Sequence, residues 1–86
     1  MYIHLGQETV VKKEEIIGIF DLDTATVSRH TRKYLNIAQK NGDVVYVTNE
    51  LPKSFVVCAP KKSKKRKIYI SQLSSLTLNK RNEFLK

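Results

Sequence analysis

Tryptophan is absent from this 86-residue chain, while cysteine and methionine occur once each, proline twice and glycine three times. Each scarcity excludes something. With Cys58 as the only thiol, no disulfide can close within the chain and no thiol-rich metal site can be built. A single thiol also suits a reducing compartment. Three scattered glycines leave no phosphate-cradling loop. Apolar runs are short: "IIGIF" at 16–20 falls far below the roughly 20 residues that a bilayer-spanning helix needs. Met1 opens directly into strand-like "MYIHL" without a basic leading region, so no signal peptide is expected and the expected location is cytoplasmic.

Catalytic chemistry is equally short of material. His4 falls in an expected strand and His30 in an expected helix, neither with a Ser, Cys or Asp partner at useful spacing. Cys58 lies in an apolar strand and reads as a small buried hydrophobe. The acidic residues are scattered: Glu14 and Glu15 are adjacent, hence on opposite faces of a strand, and Asp21 and Asp23 suit helix capping. No enzyme, cofactor, metal or small-molecule substrate is expected.

Positive charge is what the chain has in excess. Sixteen Lys and Arg face eight Asp and Glu, a net of +8, on an otherwise ordinary globular composition of 41% hydrophobic and 28% charged residues. Lys61, Lys62, Lys64, Lys65, Arg66 and Lys67 put six cations into seven positions. Taking those six from sixteen leaves ten against eight, so the remaining chain carries only +2. A near-neutral body with one concentrated positive field suits a polyanionic partner better than dispersed charge does.

The chain reads as one domain, 1–86. Strands are expected at 1–6, 8–13 and 14–20, then a helix over 24–40, capped by the Asp21–Thr24 segment and closed by Asn41-Gly42. Val27, Thr31, Tyr34, Leu35 and Ala38 form its apolar side; Arg29, Arg32 (or Lys33), Asn36 and Lys40 form an opposite face that reads as solvated. Strands follow at 43–48, 54–59 and 67–71, with a turn at "NELPK" (49–53) and the basic loop 60–67 as the tip of the last hairpin. Ser74 or Ser75 caps a final helix with Leu78, Phe84 and Leu85 inward. "SFVVCA" (54–59) is apolar on both alternating faces and needs cover on both, from the chain's own helices or from another subunit, which suggests homo-oligomer burial. The expected fold is α+β, a highly twisted antiparallel sheet of about five or six strands with two helices.

The basic loop has three readings. It can be a solvated hairpin tip that keeps an edge soluble, a nuclear-localisation-like tract, or a phosphate-contacting device. Six charges repel one another, extend the loop and favour a polyanion whose counterions can be released, so phosphate contact is preferred. No aromatic residue interleaves the lysines, which favours duplex backbone over single strands. The candidate nucleic-acid contacts are therefore Lys61, Lys62, Lys64, Lys65, Arg66 and Lys67, with Lys53 beside the Pro52 turn as a weaker addition. The competing reading is an oligomeric scaffold whose acidic partner meets the tract. Membrane attachment lacks an apolar anchor beside the lysines.

"MYIHLG", "IIGIFD" at 16–21, "LPKSFVV" at 51–57 and "YISQLSSLTLNKR" at 69–81 together resemble the Rem-type extracellular-matrix regulators, in the same order and over nearly the whole length, with the RemB branch nearest. The resemblance implies a bacterial, cytoplasmic, double-stranded-DNA-binding regulator tied to biofilm-matrix genes. It also implies ring-like homo-oligomers and a subunit likened to LytTR-type domains. In the RemA branch an arginine pair before the Val-rich strand is implicated in DNA contact; Glu50 and Leu51 occupy those places here, and only the nearby Lys53 is basic. The lysine tract looks like an insertion in the family's compact hairpin, placed to replace those contacts.

Overall fold

Alternating apolar residues close the first two strands into a hairpin. In the computed structural model, which describes residues 2–6, 9–22, 28–62 and 65–84, β1 (Tyr2–Gly6) pairs antiparallel with β2 (Thr9–Lys12), Ile3 opposite Val11. Gly6 adopts φ +136°, so the backbone calls for glycine; a Cβ there would meet only the far end of the Gln72 side chain, at 2.7 Å. A single 3-10 turn, Lys13–Glu15, leads into β3 (Ile16–Asp21). Glu14 and Glu15 therefore sit in a turn, not on the two faces of a strand as expected. Asp21 ends β3 opposite Ser54 and immediately precedes Leu22, which is helical; Asp23 and Thr24, the other expected capping residues, lie outside the described residues.

Helix α1 spans Arg29–Lys40, the expected residues 24–27 lying outside the described ones. Its end is as the sequence predicts: Asn41 N–H donates to the Ile37 carbonyl, and Gly42 takes φ +76°. Strands β4 (Val44–Tyr46), β5 (Ser54–Cys58) and β6 (Lys67–Ser71) follow. The expected 54–59/67–71 hairpin is present, with Val56 opposite Tyr69. Helix α2 (Ser75–Phe84) starts on Ser74, whose Oγ accepts the Thr77 N–H at 3.1 Å.

The six strands form two sheets, not one: the β1–β2 hairpin and a four-stranded sheet in the order β3-β5-β6-β4. The hairpin lays its apolar side chains on the face of the larger sheet instead of extending its ladder; Ile3, Leu5 and Val11 join Val56, Cys58, Val47 and Leu78 in one core. Nor is the larger sheet wholly antiparallel, because β4 runs parallel to β6. The segment between β4 and β5 crosses the end of β6, Lys53 N–H donating to the Ser71 carbonyl at 2.9 Å, and β4 is thereby placed outside β6.

A second core lies under α1, where Ala38 and the half-buried Leu35 pack on Phe55, Val57, Ile68 and Ile70. Every residue of β5 is buried as a result. The chain itself covers both apolar faces of that strand, with the hairpin and α2 on one side and α1 on the other. Of the two sources of cover expected for β5, the chain's own elements supply it, and its burial requires no other subunit. Two buried hydroxyls facing each other across β5 and β6 are satisfied: Ser54 Oγ donates to the Leu73 carbonyl at 2.8 Å, and Ser71 Oγ donates to the Leu5 carbonyl while accepting the Leu73 N–H at 3.0 Å. Among the described residues no helix is long and apolar enough to cross a membrane.

Candidate nucleic-acid interface

Antiparallel pairing fixes which residues meet at each end of the sheet. Cys58 opposes both Ile16 and Lys67, so the 3-10 turn, the β5–β6 loop and the entry to β4 converge at one end. Ser54 opposes Asp21 and Ser71 at the other. The tract therefore occupies a fixed place. Lys61, Lys62, Lys65, Arg66 and Lys67 are all exposed there, while Lys64 lies outside the described residues. Lys53 precedes β5 and sits at the opposite end, about 17 Å away along the five residues of that strand. The structure thus gathers the tract but separates Lys53 from it.

Acidic groups also converge on the tract's end. The Glu15 carboxylate accepts the Lys61 backbone N–H at 3.1 Å, and the Glu15 carbonyl accepts Ala59 N–H at 2.7 Å. Glu15 and Asp43 line one shallow cavity with Pro60, Lys65, Lys67 and Tyr69. The negative field of Glu15 is felt beneath the loop. Burial, aided by Glu15, pushes the Cys58 thiol up to about 11. The Tyr69 hydroxyl is raised by burial first, then by Cys58 and Glu15. The tract is therefore not a bare charge of +6; carboxylates from two other elements offset part of it. Sequence reasoning missed both. The signal was available in the pairing itself, since the residue before β3 must meet the residues after β5 once those strands run antiparallel.

The tract is also divided between the two faces of the sheet. Strand alternation places Lys65 and Lys67 with Tyr69, on the side of the hairpin core. Arg66 goes with Ile68 to the α1 side, where it lines a cleft with Val57, Phe55 and His30. On α1, Arg29, Arg32, Lys33, Asn36 and Lys40 are exposed, the face expected to be solvated. Tyr34, expected inward, is 40% exposed. Arg81 is a tie within the fold, donating to the His4 carbonyl at 3.0 Å.

No protein-family model matches the chain. A similar protein is Extracellular matrix regulatory protein B of Bacillus subtilis (strain 168), 41% identical over 85 residues that span 99% of this chain and 94% of that one.

Proposed function

Since that identity makes the chain a member of the Rem-type family of extracellular-matrix regulators, we propose that it is a DNA-binding transcriptional regulator of biofilm-matrix genes. It works in the cytoplasm as a homo-oligomer, through repeated basic loops on the DNA backbone. The observation that carries this reading is the common placement of Lys61, Lys62, Lys65, Arg66 and Lys67, all exposed at one end of the sheet. Such cations position a protein on phosphates and carry no base readout. Glu15 and Asp43 lower the effective charge of each tract, so one tract alone holds DNA weakly. Repeating it in an oligomer multiplies modest contacts through effective concentration. A LytTR-like subunit belongs to the same proposal and is tested by superposition on such domains.

Duplex-DNA affinity measured over a range of salt tests the reading. Three to five neutralised phosphates per tract give a log–log slope between about −3 and −5, at about −0.9 per phosphate. Replacing Lys61, Lys62 and Lys65 by Gln flattens the slope by about 2 to 3 per tract, and Lys53→Gln, at the far end, leaves it nearly unchanged. An unchanged slope in the triple variant removes the tract from the footprint. No binding at low salt favours a scaffold with an acidic protein partner.

A further inference from the structure

Helix α1 covers only part of its side of the sheet. Leu35 and Ala38 seal it over Val44, Ile68 and Ile70, toward the β4 edge. Toward the β3 edge the helix leaves an open cleft of about 320 Å³, at the small end of the range for organic ligands. Its apolar wall combines the buried Phe55 and Val57 with Ile17 and Phe20, and Phe20 stacks on Phe55 with ring centres 5.1 Å apart. Tyr34 flanks it from the helix. Ile17, Phe20 and Tyr34 are 53%, 43% and 40% exposed, three large apolar side chains left to solvent around one concavity. Such a concentration marks a binding surface more often than chance exposure does.

The charge of the cleft is one-sided. Arg66 and His30 line it, and among the described residues no carboxylate does. Arg66 makes no hydrogen bond or ion pair among the described residues, in contrast to the other side of β6, where Glu15 and Asp43 attend Lys65 and Lys67. We propose that this cleft binds a small organic anion: a flat or branched apolar body bearing one carboxylate. The body rests on Phe20, Phe55, Ile17 and Val57. The carboxylate meets the Arg66 guanidinium, whose planar fork matches its two oxygens. The site goes beyond the DNA reading and does not depend on it: the two share Arg66, but the apolar wall lies on the opposite side of β6 from Lys65 and Lys67.

Titrating the isotope-labelled protein with 2-naphthoate, and separately with neutral 2-naphthylmethanol, tests the site without DNA present. Saturable amide shifts with naphthoate are expected at Ile17, Phe20, Tyr34 and Val57. Arg66→Gln, at an exposed position, weakens naphthoate at least about fivefold and the neutral analogue less than about twofold. Arg66→Lys gives an intermediate affinity for naphthoate. Phe20→Ala weakens both probes. The proposal is overturned if shifts fail to saturate below about 5 mM, if they map to the lysine tract instead of the cleft, or if Arg66→Gln weakens both probes equally.

Discussion

The two faces of the four-stranded sheet are built from the same strands and finished differently. On the hairpin face Ile3, Leu5, Val56 and Leu78 are at most 1% exposed, closed in by β1, β2 and α2. On the α1 face an apolar floor is roofed by α1 and Leu22 among the described residues, and Ile17, Phe20 and Tyr34 stay open. Stability is concentrated where cover is complete, and the capacity to bind is found where it stops. A fully covered core residue contributes its transfer energy and fills space that would otherwise be void. A residue at the rim of the cleft does neither, so it is available to a ligand at little cost to the fold.

The contrast can be broken most sharply at Leu78. Leu78→Ala is expected to cost about 3 kcal/mol, seen as a melting temperature lower by about 10–20 °C. A loss below about 1 kcal/mol would show that α2 does not seal that face. Ser71→Ala comes next, at about 2 kcal/mol in chemical denaturation, because the Leu5 carbonyl and Leu73 N–H both lose a partner where water has little access. Rim substitutions come third: Ile17→Thr and Tyr34→Ser are each expected to move stability by about 0.5 kcal/mol or less. A larger loss would mean that the cleft belongs to the core. The smallest effect at neutral pH is that of Cys58, which is protonated folded and unfolded alike. Its folded pKa is raised from 9.0 to about 11. The stability this confers is fully present below pH 9 and is lost as pH rises from 9 to about 11. Denaturation midpoints falling more steeply across that window in the parent than in Cys58→Ala check it, since the raised Tyr69 hydroxyl adds a decline above pH 10 to both. Iodoacetamide should leave the folded thiol unmodified at pH 8 and label it on unfolding.

How much of this was legible in the sequence depended on distance along the chain. Asn41-Gly42 at the end of α1, the Ser74 cap and the β5–β6 hairpin all rest on contacts between near neighbours, and local residue chemistry predicts them. The double apolar pattern of β5 correctly demanded cover on both faces. It could not say whose, because the N-terminal hairpin that covers Val56 and Cys58 is more than 40 residues away in sequence. The parallel β4–β6 pair was hidden for the same reason: nothing within Val44–Tyr46 distinguishes a place beside β5 from one outside β6. At the candidate interface, the concentration of cations was plain, but Glu15 and Asp43 reach the loop through pairing of separate elements. The division of Arg66 from Lys65 and Lys67 was readable in principle, since a period of two along β6 assigns it once Ile68 is known to face α1.

The strand order has a consequence for how the chain assembles. β6 is the last strand to be synthesised, yet it lies inside the sheet, between β5 and β4. Until residues 67–71 arrive, β4 has no partner in the ladder, and the Ser71 hydroxyl that ties the sheet to β1 is missing. Closing the sheet therefore joins segments from both ends of the chain in one late event, which slows folding relative to a meander of the same length. The lysine tract enters immediately before β6. Its six like charges are therefore brought together only when that last strand closes the sheet, so folding rate is one more quantity to which salt concentration is tied.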